Sequence, residues 1–276
     1  MTNPATLLQR LSQSFTTKVK SISWDWSVFV LLTAGLTLGS PLKAQADSPE
    51  TAPPQLKDTL SQIDRFANGK DVEGLLGFYG ANFTNSDGLN RELMAEALVQ
   101  LWERYPLLNY RTELTDWQQE GSAIVAETVT YITSDQPQDA TKTKFESTLR
   151  SRQRFENQKI VYSTILAERS QITSGANPPK VTVKLPEQVR IGQRFNFDAI
   201  VTEPLGDDLL LGVAIEESVS SQRYTNPTEI ELESLAAGGI FKVGRAPLLP
   251  EDRWISAILI RGDGMIMITR RLNVVE

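Results

Sequence analysis

The feature that most constrains this chain is the stretch Tyr110–Arg169, where long segments of alternating apolar and polar residues follow one another with only turn residues between them. The segments run Tyr110–Glu120, Ala123–Ser134, Lys142–Glu156 and Lys159–Arg169. A period of two sustained over such lengths is the pattern of strands with one buried face. Gly121, Ser134–Ala140 with Pro137, and Asn157-Gln158 supply turns, so the segments read as an antiparallel meander. Such a sheet needs a cover on its apolar face. Upstream, Leu56, Leu60, Ile63 and Ala67 recur at helical spacing and stop at Gly69, and Leu93, Met94, Ala97, Leu98, Leu101 and Trp102 do the same until Pro106. Asp71 caps a shorter helix, Val72–Tyr79, and Ala81–Asn90 reads as a loop with a turn at Asp87-Gly88.

Beyond the meander, Ser174-Gly175-Ala176-Asn177-Pro178-Pro179 has the composition of a linker. Short alternating segments follow at Lys180–Leu185, Arg194–Thr202, Leu209–Glu217, Thr228–Leu232, Gly239–Arg245, Trp254–Arg261 and Met265–Val274, separated by Gly- and Pro-containing turns. That spacing argues a β-sandwich. The expected fold is therefore α+β: an N-terminal helix-covered curved antiparallel sheet, cone-like, followed by an all-β sandwich. The expected division is a signal segment over 1–46, a linker over 47–54, a first domain over 55–171, a linker over 172–179 and a second domain over 180–276.

The chain has neither cysteine nor histidine. The first absence removes disulfides, thiolate nucleophiles and cysteine metal sites. The second removes Ser-His-Asp chemistry, the commonest transition-metal ligand and any side chain that titrates unperturbed near neutrality. Catalysis is left to carboxylates, Lys, Tyr or Ser. Glu229, Glu231 and Glu233 share a strand face, but no spaced Asp-x-Asp-x-Asp-Gly loop for calcium occurs, so neither a metal nor a cofactor is expected.

Arg10, Lys18 and Lys20 precede the apolar run Val28–Leu38, which is followed by Pro41 and the small-residue site Ala44-Gln45-Ala46. This is the order of a cleavable signal peptide. The run is shorter than the ~20 apolar residues that span a bilayer, so no stable membrane anchor is expected after cleavage. Residues 47–276 then hold 24 Lys+Arg against 33 Asp+Glu, a net charge of −9, which argues against nucleic acid and anionic membrane surfaces as partners. The expected address is outside the cytoplasm: a periplasm or, in a photosynthetic bacterium, a thylakoid lumen.

The order helix, short helix, loop, helix, the aromatic motif Gly77-Phe78-Tyr79 with Phe83 after it, and long strands ending in Ile165-Leu166-Ala167-Glu168-Arg169 resemble the nuclear-transport-factor-2-like superfamily, which includes the SnoaL-like proteins. The resemblance covers about residues 52–170 and implies a cone with an apolar pocket, where enzymatic members typically carry Asp, Tyr or His. The ending Ile255–Gly264 and a last strand resemble the closing hairpin of bacterial immunoglobulin-like modules.

Tyr79, Trp102, Tyr110, Trp117 and Tyr131 are the aromatics able to line such a pocket, with Asp64 and Asp116 as its carboxylates. A buried Asp beside the hydroxyl of Tyr79 or Tyr131 would be an acid–base pair; packing in the core is the other fate of these residues. Arg150, Arg152 and Arg154 share one strand face and read either as an anion clamp or as a solvated face paired with Glu113 and Glu127. The leading expectation is an exported, soluble binding or scaffold protein without catalysis, meeting a protein partner or a small ligand. Two alternatives stay open: a small-molecule enzyme of the SnoaL or ketosteroid-isomerase kind, and a carrier of an apolar ligand such as a carotenoid or lipid. Pairing of two copies through the open sheet face is also left open.

Overall fold

The helices begin and end where their capping residues require. In the computed structural model, which describes residues 47–135, 143–206, 208–226, 230–262 and 264–276, α1 spans Pro54–Asn68, with proline at its first position and Gly69 at its end. Asp71 caps α2 (Val72–Leu76), its carboxylate accepting from Gly74 N–H at 2.8 Å. The chain then enters β1 (Tyr79–Asn85), a strand where the sequence reads as the end of a helix and a loop. Asn90 caps α3 (Arg91–Arg104) by accepting from Leu93 N–H at 2.9 Å. The meander follows as β2 (Asn109–Glu120), β3 (Ala123–Asp135), β4 (Lys144–Glu156) and β5 (Lys159–Gly175). The expected export segment lies outside the described residues, as does the β3–β4 connection over 136–142.

The second half contributes β6 (Val181–Lys184), β7 (Gln188–Arg190), β8 (Arg194–Val201), β9 (Leu210–Ser218), the short helix α4 (Ser221–Thr225), β10 (Glu233–Ser234), β11 (Gly239–Arg245), β12 (Arg253–Arg261) and β13 (Gly264–Val275). The strand expected over Thr228–Leu232 is not formed at residues 230–232, and its first two residues lie outside the described ones.

The expectation of a helix-covered α+β cone followed by a separate immunoglobulin-like sandwich is corrected at β5. This strand does not stop at Arg169 before a linker; it runs 17 residues, about 56 Å at the usual rise. Ile160–Ser163 on one of its edges pair in parallel with β1, and Arg169–Gly175 on the same edge pair with β13. The result is a predominantly β structure built on one ten-stranded sheet of order β10-β9-β12-β13-β5-β4-β3-β2, with β1 added to β5 and β7 to β13. The polar composition of Ser170, Gln171, Thr173 and Ser174 imitates a linker, but pairing with β13 satisfies their backbone and makes them strand. The chain leaves the sheet only at Gly175, whose positive φ (93°) glycine adopts freely. There it folds over Gly264, where an added Cβ would lie 2.2 Å from the Asn177 carbonyl.

Register decides which residues share a face, because directly paired residues project to the same side. Phe145 pairs with Ile172 and Ile172 with Met267, which places these three on the side covered by the helices. Leu56, Leu60, Phe83, Phe155 and Ile160 pack there, beside a second group around Leu75, Trp102, Tyr110, Ile132 and Phe145. The other core lies on the opposite side. There Ile266 and Ile268 of β13, Ala257 and Leu259 of β12, and Phe195, Phe197 and Ala199 of β8 are buried between the large sheet and a three-stranded sheet of order β11-β8-β6.

One edge of the large sheet is β2, and it is capped. Asp64 and Asn68, one turn apart on α1, serve its outward backbone groups: Asp64 accepts from Thr112 N–H at 2.6 Å, while Asn68 accepts from Tyr110 N–H at 2.6 Å and donates to the Tyr110 carbonyl at 2.9 Å. Further along, Asp47 forms a bridge to Trp117, so the segment expected to be a linker is seated on the same edge. Side chains thus occupy backbone groups that would otherwise template another strand.

Candidate functional site

Of the aromatic residues expected around a pocket, Trp102, Tyr110 and Trp117 have local partners for their polar atoms, and Tyr79 packs against another ring. Trp102 Nε1–H donates to the Tyr110 hydroxyl at 2.9 Å within the core, and burial pushes that phenol up to about 12. Tyr79 meets Phe83 edge to face at 4.8 Å, and burial pushes it up to about 12 as well. Trp117 Nε1–H donates to the Ser48 carbonyl at 3.1 Å and the Thr51 hydroxyl at 3.2 Å. Tyr131 is on the other side of the sheet, beneath the guanidinium of Arg111 at 4.4 Å.

The two carboxylates do not converge either. Asp64 accepts from both the N–H and the hydroxyl of Thr112, at 2.6 and 2.7 Å, and that hydroxyl meets Thr130 at 3.0 Å. Asp116 is the cross-strand partner of Glu127 on the outer face, where partial burial and the charge of Glu127 raise its carboxyl above the ordinary range. An acid–base pair of Asp with Tyr79 or Tyr131 is not assembled. Among the described residues, no group of three or more Asp or Glu is placed to hold a metal ion, and no helix is long and apolar enough to cross a membrane.

The three arginines of β4 share the outer face, but two of them are neutralised within the sheet. Arg152 donates to Glu127 at 2.5 and 3.0 Å, and Arg154 to Glu120 at 2.8 Å and Glu156 at 2.9 Å. Arg150 has no carboxylate partner among the described residues. The trio is therefore not a single clamp.

The structure instead gathers charged side chains where the edge of β5 passes from β1 to β13. The chain beyond β1 stays bonded to β5 through Ser86, whose N–H donates to the Ser163 carbonyl at 2.8 Å. The next residue, Asp87, meets Arg271 of β13 in a two-pronged pair, Nη1 to Oδ1 at 3.1 Å and Nη2 to Oδ2 at 2.5 Å, with both side chains 1% exposed. Tyr224 of α4 donates its hydroxyl to Asp87 Oδ2 at 2.5 Å. Arg271 Nη1 also donates to Asp252 at 3.0 Å, and Nη2 lies 3.7 Å from Glu168 of β5. Trp254 Nε1–H donates to Glu168 at 2.7 Å.

Three carboxyl groups thus surround one guanidinium. Burial alone would depress Arg271, but the hydrogen bonds and charge of Asp87, with Glu168, hold it above the ordinary arginine range. Burial raises Glu168, and the attractions of Arg271 and Trp254 only partly offset this. Burial and the nearby carboxylates raise the Tyr224 phenol too. With Asp87 and Arg271 sealed from solvent, this cluster joins parts of the chain 184 residues apart. Sequence reasoning saw only a turn at Asp87-Gly88. The available signal was Arg270-Arg271 within an apolar strand: neighbours on a strand project to opposite faces, so a cover on either side of the sheet must enclose one of them.

The family model described as "Domain of unknown function (DUF8623)" matches residues 176–275. Comparison with curated proteins found no match. Among solved structures, the IdmH 96–104 loop truncation variant is similar at 15% identity over 40% of this chain and 90% of that one, with a TM-score of 0.31. An LEH-like epoxide hydrolase of M. tuberculosis is similar at 8% identity over 40% and 80%, TM-score 0.29. A cystatin-fold protein of Novosphingobium aromaticivorans is similar at 16% identity over 41% and 98%, TM-score 0.29. Likenesses at these scores carry no argument about the activity of this chain.

Proposed function

We propose that the chain is an exported binding or scaffold protein without catalysis, holding a protein partner or a small ligand. The observation that carries this reading is the fate of Asp64, one of the two carboxylates that the sequence offers for general acid–base work. Both of its oxygens are taken up by Thr112, where they cap a sheet edge. A base needs a free oxygen within reach of a substrate proton, and this one has a structural task. The burial of Tyr79 and Tyr110 among aromatic neighbours supports the same reading, since phenols raised to about 12 hold their protons near neutrality.

The test is native mass spectrometry of the chain isolated from the envelope fraction of its natural host. Co-isolation of a protein partner at a fixed ratio, with no turnover of small-molecule substrates, is the expected result. A turnover reaction that survives further purification and is abolished by Asp64→Asn would overturn the proposal.

A further inference from the structure

Where β13 joins β5, the face turned away from Asp87 carries an excess of positive charge. Arg169 and Arg270 are direct cross-strand partners, which sets their side chains on one face with Cβ atoms about 5 Å apart. On the other edge of β5, Thr148 pairs with Arg169 and Arg150 with Ala167, so Arg150 stands on the same face, diagonal to Arg169. Like charges placed in this way destabilise a sheet unless something neutralises them. Arg169 has one carboxylate partner, Glu187, in a pair open to solvent. Among the described residues, Arg150 and Arg270 have none.

Arg270 is half-buried, and burial together with the charge of Arg169 holds its guanidinium below the ordinary arginine range. Beside it is a cavity of about 130 Å³ whose lining includes Ala167, Arg169, Leu185, Pro186, Glu187 and Arg270. That is the share of roughly four liquid waters. The small side chain of Ala167, between Arg150 and β13, leaves the space open. Glu168 also borders the cavity, but its carboxylate is committed to Trp254 and Arg271.

We propose that this cavity binds a small oxyanion, either free inorganic phosphate or the phosphate or carboxylate group of a larger molecule, held by Arg270 and Arg169 with Arg150 at its rim. Planar guanidinium groups donate in pairs to such oxygens, and those charge-assisted bonds are stronger than neutral ones. An anion here supplies negative charge beside Arg270 and Arg150, which have no carboxylate partner among the described residues.

The test is thermal unfolding and calorimetric titration of the full chain with inorganic phosphate, at ionic strength held constant with sodium chloride, and with acetate in parallel. A ligand that binds only the folded state raises the melting temperature saturably. Phosphate is expected to do so, and Arg270→Gln to weaken binding at least tenfold, with Arg150→Gln, at an exposed position, weakening it less. Arg270→Gln removes a like-charge contact, so the variant is expected to fold at least as stably without phosphate. An equal response to acetate shows that a carboxylate suffices; a response to phosphate alone selects a phosphate group. A phosphate effect no larger than that of chloride, or one that survives both substitutions, overturns the proposal.

Discussion

The two ends of the ten-stranded sheet have their main apolar clusters on opposite faces. At the end made of β2, β3, β4 and the first part of β5, helices α1–α3 cover one face, while the other carries ion pairs such as Arg152–Glu127 and Arg154–Glu120. At the end made of β9, β12 and β13, the three-stranded sheet closes the reverse side, and on β12 the residues of the first side, Trp254, Ser256 and Ile258, are buried as well. Between them the cover changes sides. The same residue type has different fates in the two places: Arg152 is 56% exposed on a surface strand, whereas Arg271 is 1% exposed in the transition zone. The difference teaches that a sheet shared by two cores traps polar side chains where the covers overlap, and that these must be paired with one another because water cannot reach them.

This comparison can be broken most directly at the transition zone. Asp87→Ala leaves Arg271 buried without its two-pronged partner and is expected to cost about 3–5 kcal/mol, whereas Arg152→Ala at the surface costs between about 0 and 1 kcal/mol. Urea unfolding followed by tryptophan fluorescence measures both. Trp102 and Trp254 report on opposite ends of the sheet, so separate transitions for the two ends in the wild-type chain would contradict a single shared sheet.

A smaller loss is expected from Asp64→Ala, which removes the acceptor of Thr112 N–H on the β2 edge. Stranding that donor costs about 1–3 kcal/mol. Hydrogen exchange at Thr112 is expected to accelerate ahead of the rest of β2, and an unchanged rate would show that the edge does not depend on α1.

The mildest change sharpens the electrostatics of the cluster. Because burial raises Glu168 above its ordinary value of 4.5, the folded chain binds its proton more tightly than the unfolded one. Its contribution is complete below that ordinary value and is lost as pH rises through the raised one. Glu168→Gln keeps an oxygen for Trp254 and removes the charge. Its melting temperature relative to wild type is expected to rise with pH across that window, and a constant difference from pH 4 to 8 would place the proton elsewhere.

Much of the first half was legible because its signals are local. Gly69, Asp71 and Pro106 bound the helices from short-range capping and steric rules, and the period-two pattern located β2, β3 and β4 to within a residue or two of their described ends. β1 was missed because its pairing with β5 is parallel and irregular in register, leaving no alternation to read in Gly80–Thr84. The end of β5 was missed because a polar strand and a linker have the same composition. Of the candidate site residues, the sequence showed that Arg150, Arg152 and Arg154 share a face and offered pairing with Glu113 and Glu127 as one reading; Arg152 does pair with Glu127, whereas Arg154 takes Glu120 and Glu156, and Glu113 goes to Arg111.

By itself the sequence determined the element types over most of the chain, the two apolar clusters and the exclusion of thiol and imidazole chemistry, because each follows from residue identity or short-range periodicity. Only the tertiary structure decided that both clusters share one sheet from opposite faces, that Asp64 caps an edge rather than serving a pocket, and that Asp87 finds Arg271. Those outcomes depend on register and on which face each cover takes, and both are settled by pairing between residues far apart in the chain.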